Sequence, residues 1–480
     1  MQKIYKYPFI LATAVTLIFQ SCGKEYFDEL SANPNQVNVP TLPALLATAT
    51  SKAGLRTYDA GSVVTPYVQY TANPTAGAAS DIYETIDYTG TWDGMYFAMA
   101  DINEMKKLAA STSSEYLGVA NLLIAYHLII VNNFWGAAPY SQAFDPSNFT
   151  PKYDTDQEIY AASMKLVDDA ITELSKTNAT IKLAAASDLI HGGDRAKWLK
   201  TAYAIKARLL IKASKTPTFS ATAVLATLSN SYTSNADDAG MSTFTLRNSW
   251  AQVSRNNAGL TLGGWLSEQF IDHLNGTSYG LFDPRLPKLT EATTVPNNLN
   301  YPKWIGTVNG AGNRLNPPNN NTVKDENYIS FISPWTNDTA PILLVTFAEL
   351  KFIEAEAAFA TDKPRAYAAY IAAIRANMLK LGLTTAESEP YVTNPIVSVG
   401  AANLTLALIF KEKYVVTYLN PEAWNDARRH NYGYKNFGMP LNAVLPTFIR
   451  RLDYPIGERS KNGTNVPAEA PRTTKLWWDL

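Results

Sequence analysis

Apolar positions along this chain recur at three- to four-residue spacing in segments that come in pairs, the period of amphipathic helices rather than of strands. Residues 89–110 (TGTWDGMYFAMADINEMKKLAA) put Trp92, Tyr96, Met99, Ile102 or Asn103, and Met105 on one face, and residues 115–134 (EYLGVANLLIAYHLIIVNNF) follow after a short Ser/Thr break. Residues 156–175 and 195–215 form a second pair; in the latter, Trp198, Ala202, Ile205 and Leu209 make the apolar stripe and Lys and Arg the other. Residues 346–361 and 364–380 form a third. In the fourth, 402–419 and 421–430, Asn420 is placed to cap and Pro421 fits a first helical position, which needs no amide donor. Helical hairpins with Ala, Tyr and Leu at their contacts predict a mostly α fold of tetratricopeptide-like stacked pairs, although no regular repeat of ~34 residues runs through the chain.

The intervening stretches 61–88, 231–259, 275–341 and 432–475 are long and rich in Gly, Asn, Pro and aromatic residues. Loops of that length in a compact protein are usually functional, so the helices read as scaffold and the loops as binding surface. The Pro/Asn-rich run at 309–321 is a surface loop rather than a hinge, and no linker divides the chain. At the start, Lys3 and Lys6 precede a short apolar run from Pro8 to Phe19, Ser21 follows, and Cys22 is the only cysteine. That run falls short of the ~20 residues a spanning helix needs. The pattern predicts a secretion signal over residues 1–21, a lipid-accepting Cys22, and a single domain over 22–480. Stable anchoring needs more than one acyl chain. With its cysteine lipidated, the exported chain has no disulfide and relies on packing.

Loss of Lys3 and Lys6 makes the chain two charges more negative than its formal −1, which leaves no basic field for nucleic acid. Only 17% of residues are charged, against 27 Tyr and 10 Trp. A weakly charged surface with flat amphipathic rings suits neutral polar ligands, glycans or peptides, better than phosphates.

Catalytic and metal motifs fail on context. Gly276-Thr277-Ser278-Tyr279-Gly280 matches a nucleophile elbow, but the elbow requires a strand before and a helix after, whereas Glu268–Leu274 reads helical and Phe282–Arg285 reads as loop. His127, His191, His273 and His430 are scattered, none with a partner at metal-ligand spacing, so neither a metal nor a cofactor is expected; His127 reads as a satisfied core residue. Gly306, Gly310 and Gly312 lack the register of a dinucleotide or phosphate loop. Asp168-Asp169 and Asp237-Asp238 are the carboxylate pairs on which a glycosidase reading would rest, and adjacent acids are more often solvated.

Several stretches resemble the SusD/RagB family of outer-membrane nutrient-binding lipoproteins of Bacteroidetes, in its SusD-like second subgroup. They begin with Cys22 followed by Lys24-Glu25-Tyr26-Phe27, then Asn33-Pro34-Asn35, Trp92-Asp93-Gly94-Met95-Tyr96, and Phe134-Trp135-Gly136 through Tyr140. Gly193-Asp194 leading to Trp198, Asp283-Pro284-Arg285-Leu286, and Pro341–Leu344 leading to Ala348–Lys351 follow in order. Glu412-Lys413-Tyr414, Asn420–Arg429 (NPEAWNDARR), Arg450–Pro455 and Trp477-Trp478 complete a match that runs nearly end to end. The resemblance implies one mostly helical domain that sits as a lid on a SusC-like TonB-dependent outer-membrane transporter, captures glycan or peptide outside the cell and has no enzymatic activity. Most matching residues are structural; in NPEAWNDARR, Trp424 is expected in the core and Asp426 in an ion pair with Arg428 or Arg429.

Sugar C–H faces stack on rings and hydroxyls need fixed polar partners, so the expected ligand residues are loop aromatics with an amide nearby. They are Tyr83, Tyr88 and Trp92 with Asn73, and Trp250, Tyr279, Trp304 and Trp335. The leading reading is a surface-exposed, lipid-anchored glycan-capturing protein of the outer membrane. Its alternatives are a peptide-binding member of the same machinery, a surface glycosidase or esterase, for which a Ser278–His430 contact would speak, and a pure scaffold.

Overall fold

The first helix, α1 (Leu42–Val64), is one that apolar periodicity does not predict. It is followed by β1 (Thr71–Ala72), α2 (Thr89–Ala109), α3 (Ser114–Trp135), α4 (Asp156–Ser175), α5 (Arg195–Lys212) and α6 (Ala221–Leu228). Short strands and helices alternate next: β2 (Ala239–Met241), α7 (Ser249–Ala258), β3 (Trp265–Leu266), α8 (Glu268–Leu274), α9 (Leu286–Leu289) and β4 (Ile342–Val345). The chain closes with α10 (Phe347–Ala358), α11 (Lys363–Lys380), α12 (Thr385–Val392), α13 (Leu406–Val416), α14 (Glu422–Arg429) and α15 (Ile456–Asn462). This computed structural model describes residues 40–258, 264–293, 304–314 and 326–480, of which Leu42–Leu480 belong to one compact unit. The expected signal 1–21, Cys22, and the matching stretches at 24–27 and 33–35 lie outside the described residues, as does part of the loop at 309–321.

All four predicted helix pairs are present, as α2/α3, α4/α5, α10/α11 and α13/α14, and their ends follow local capping. Thr155 and Glu158 make a reciprocal capping box on α4, and Asp194 accepts from the Ala196 and Lys197 amides to start α5. The predicted start of α13 at 402 is corrected to Leu406, because Thr405 accepts from the Leu408 amide and sets the first turn there. Pro421 is the cap of α14 rather than its first helical residue, and Asn420 assists by accepting from the Glu422 amide at 3.0 Å.

Helix α3 is the hub, packed on α1, α2, α4 and α5. By length and composition it could cross a membrane, but it is buried inside the fold and is a core helix. His127 on it donates from Nδ1 to the Leu123 carbonyl at 2.7 Å, while Nε2 has no hydrogen-bond partner among the described residues, so the expected satisfied histidine is half satisfied by them. Burial lowers its pKa to about 4, so the ring is neutral at pH 7. Helix α1 packs through small residues: a Cβ on Gly61 would stand 2.4 Å from the Leu419 carbonyl oxygen, and one on Gly54 would stand 2.6 Å from the Met241 methyl.

Several buried charges are ion-paired, which offsets the cost of taking them out of water. Arg208 of α5 forks onto Glu349 of α10 at 2.6 and 2.8 Å. Trp424 is fully buried, and Asp426 pairs with Arg429 at 2.7 Å and with Lys413 at 2.8 Å. Arg428 does something else: its guanidinium lies 3.8 Å from the Trp424 ring centroid and donates to the Asn133 and Arg450 carbonyls.

Candidate ligand-binding site

Two short strands organise the loops. Thr71 and Ala72 of β1 pair antiparallel with Leu266 and Trp265 of β3, and this holds the segment after α1 against the loops that follow α7. Asn73 then turns the chain, its side-chain oxygen accepting from the Thr75 amide at 2.9 Å. The Asn73 amide donates to Asp81 Oδ2 at 2.8 Å, and the Gly310 amide reaches the same oxygen at 3.3 Å. Asp81 therefore ties two loops together beneath the surface. Burial, only partly opposed by these hydrogen bonds, pushes its carboxyl up to about 6.

Above this knot lies a cavity of about 270 Å³ whose wall includes Tyr58, Asn73, Asp81, Tyr88, Trp250 and Ile329. Trp250, near the start of α7, is fixed through its backbone: its amide donates to Asn248 Oδ1, and Asn248 Nδ2 donates to the Ala340 carbonyl, both at 2.7 Å. The indole meets Tyr58 edge to face with ring centroids 4.7 Å apart, and Gly61 leaves the room it occupies. The Tyr88 hydroxyl is bonded to that of Tyr67 at 2.7 Å, which holds its half-buried ring at the wall. Rings set against an amide and a carboxylate make a site that can stack an apolar face while bonding hydroxyls.

Three of the eight predicted residues, Asn73, Tyr88 and Trp250, are thus brought together. Tyr83 and Trp92 are not ligand-facing, and here the structure corrects the expectation. Tyr83 is fully buried at φ +62°, packed edge-on against Tyr67 at 5.9 Å, and Trp92 is 2% exposed within a cluster with Tyr96 and Trp135, each at 5.0 Å. Trp335 is buried beside Tyr418 and shares with Trp250 only a narrow gap of about 30 Å³. Tyr279 lies elsewhere, its ring 4.9 Å from Lys411 Nζ and its hydroxyl accepting from the Lys435 amide. Trp304 leans on Phe282 at 6.3 Å. Sequence reasoning missed Tyr58 because it missed α1, and missed Asp81 because its role depends on two amides far apart in sequence.

The catalytic alternatives find no support in these contacts. Ser278 Oγ accepts from Asn436 Nδ2 at 3.3 Å, while the His430 ring stacks on Phe410 at 4.3 Å. Asp168, Asp169, Asp237 and Asp238 are each ion-paired with a different lysine. Among the described residues no three His, Cys, Asp or Glu side chains converge as a metal site. A wider groove of about 940 Å³ along α11 has a mainly apolar exposed surface that includes Ile371, Ala372 and Leu379, and its polar groups Tyr367, Ser398 and Arg375 are bonded to one another or to Glu389.

A family model described as starch-binding, associating with the outer membrane, matches residues 34–455. The chain belongs to the SusD-like family. Similar solved structures agree with this SusD-like assignment. A SusD/RagB family protein from Bacteroides thetaiotaomicron is 21% identical with a TM-score of 0.73, over 92% of this chain and 99% of that one. A chitin-binding SusD homologue from Flavobacterium johnsoniae is 18% identical with a TM-score of 0.75, over 92% and 98% of the two chains. A SusD homologue from Bacteroides fragilis is 21% identical with a TM-score of 0.73, again over 92% and 99%. No curated protein matches. These likenesses carry the fold, the tetratricopeptide-like helical scaffold of SusD-like proteins. Family members are outer-membrane-associated binding proteins of Bacteroidetes, for which a glycan ligand is supported at family level.

Proposed function

We propose that this SusD-like chain captures an extracellular glycan in the Trp250 cavity and hands it to a SusC-like TonB-dependent transporter, without catalysis. In this reading residues 1–21 are a signal, Cys22 carries the lipid, and the rest is a single domain exposed at the cell surface. The observation that carries the ligand reading is the convergence of Tyr58, Tyr88 and Trp250 with Asn73 and Asp81 on one cavity. The chitin-binding relatives are consistent with it.

The test is calorimetric titration of the full chain in mild detergent with chito-oligosaccharides, malto-oligosaccharides and a mixed peptide digest. One glycan series is expected to bind, and Tyr88→Ala and Trp250→Phe each to weaken it roughly tenfold, about 1.4 kcal/mol. Glycan binding unchanged in both variants, or binding of peptides alone, refutes the reading and in the second case establishes peptide capture. The transporter arm is separate: with Cys22 intact, a mild-detergent pull-down from the native outer membrane is expected to bring down a large TonB-dependent barrel.

A further inference from the structure

A second cavity, of about 290 Å³, shares no lining residue with the first. Its wall includes Gln69, Gln269, Asp272, Ser278 and Asn436, with Met439 on an apolar side. Gln69 and Gln269 are 5% and 7% exposed, and each commits one N–H of its amide: Gln69 Nε2 donates to the Gly438 carbonyl at 2.7 Å, and Gln269 Nε2 donates to the Lys435 carbonyl at 3.2 Å. A carbonyl only accepts, so these bonds fix which end of each side chain is nitrogen. Both Oε1 atoms accept nothing from the described residues and are what the glutamines offer the cavity. Asn436 donates one N–H to Ser278 Oγ at 3.3 Å, which leaves its side-chain oxygen as an acceptor. Asp272 accepts from Asn275 Nδ2 at 3.0 Å through one oxygen, and its other oxygen is unused.

Four side chains therefore present acceptors, one of them a carboxylate, while the second N–H of each amide and the Ser278 hydroxyl remain as donors. The charge balance leans the same way. At the rim Glu268 is paired with Arg314, which also holds Glu326 at 3.0 Å, and Lys435 Nζ is 5.8 Å from the Tyr279 ring centroid. Asp272 has no ion-pair partner among the described residues.

We propose that this cavity binds a protonated primary amine carried on a small polar body, an amino sugar or an amino-acid-like group. An ammonium brings three donors for these oxygens together with a positive charge that ion-pairs with Asp272, which a hydroxyl cannot supply. A bare calcium ion would need its oxygens drawn in to about 2.3–2.6 Å, while the cavity is close to the ~300 Å³ at which small-molecule sites begin.

The test is calorimetric titration of the full chain with glucosamine, N-acetylglucosamine, glycinamide and calcium chloride, before and after Asp272→Asn. Glucosamine is expected to show a binding component that Asp272→Asn weakens about tenfold or more. N-acetylglucosamine, the same ring without the charge, is expected to lack that component in the unaltered protein, so this arm depends on no variant. Glycinamide binding as tight as glucosamine would mark an amino-acid-like source, and weaker binding an amino sugar. Equal binding of glucosamine and N-acetylglucosamine, indifference of glucosamine to Asp272→Asn, or displacement of glucosamine by calcium overturns the assignment. Asp272→Asn leaves glycan binding in the Trp250 cavity unchanged, so the two proposals fail separately.

Discussion

Glu412→Gln tests whether a wholly buried ion cluster holds the loop-bearing half of the molecule to its helices. Glu412 on α13 accepts from Lys411 Nζ and the Tyr391 hydroxyl, both at 2.8 Å, and from Arg285, which also grips Asp283 and donates to Asn377 at 3.2 Å. The cluster thereby ties α9, α11, α12 and α13 into one assembly. Burial by itself raises the Glu412 pKa, but the charges of Lys411 and Arg285 outweigh it and bring the group from 4.5 down to about 2. The folded pKa lies below the unfolded one, so the carboxylate contributes its stability above pH 4.5 and loses it as pH falls towards 2. The shift corresponds to about 3 kcal/mol at pH 7 and about 1 kcal/mol at pH 3. Breaking a buried pair by removing one partner costs about 3–5 kcal/mol, and glutamine retains the bond from Tyr391, so a loss near 3 kcal/mol is expected at pH 7. Urea unfolding of both proteins at pH 7 and pH 3 measures it. A difference below about 1 kcal/mol at pH 7, or one equal at the two pH values, would refute the argument.

Asp81→Asn probes the knot at the wall of the Trp250 cavity with the opposite sign. Because burial raises the folded pKa from 3.8 to about 6, the wild type loses stability relative to Asp81→Asn as pH rises through 6, by about 3 kcal/mol in all; thermal melts at pH 4 and pH 8 check it, and a flat difference counts against it. Gly61→Val is expected to cost about 2 kcal/mol or more and to weaken ligand binding, since the new Cβ meets the Leu419 backbone at 2.4 Å and the Trp250 ring at 3.2 Å. Gly54→Ala is expected to cost about 2 kcal/mol as well, measured by urea unfolding, because the new Cβ meets the backbone-anchored Met241 Cβ at 2.7 Å besides the Met241 methyl at 2.6 Å.

The helix pairs were legible because each buries a stripe of large apolar residues, visible at period 3.6 in any one segment. Helix α1 was not, because its buried face includes Ala49, Ala53, Gly54, Thr57, Ala60 and Gly61, and small residues packed for close approach give little hydropathy contrast. The lining of the candidate site was legible in part. Long aromatic loops drew attention to Asn73, Tyr88 and Trp250, which line one cavity although Trp250 is only 6% exposed, but the same rule chose Tyr83 and Trp92, which do not line it. Residue type cannot separate the two cases, since a tyrosine that stacks on a ligand and one that stacks on Tyr67 have the same chemistry.

What the sequence determined by itself was local: the helices that pair, the caps that start them, and the family whose motifs run in order from residue 34 to residue 455. Which rings face a cavity was decided only when β1 met β3 and Asp81 gathered the amides of Asn73 and Gly310. The strand pairing and the Gly310–Asp81 bond join residues far apart in the chain. Such contacts depend on the relative placement of whole elements, which no local period encodes.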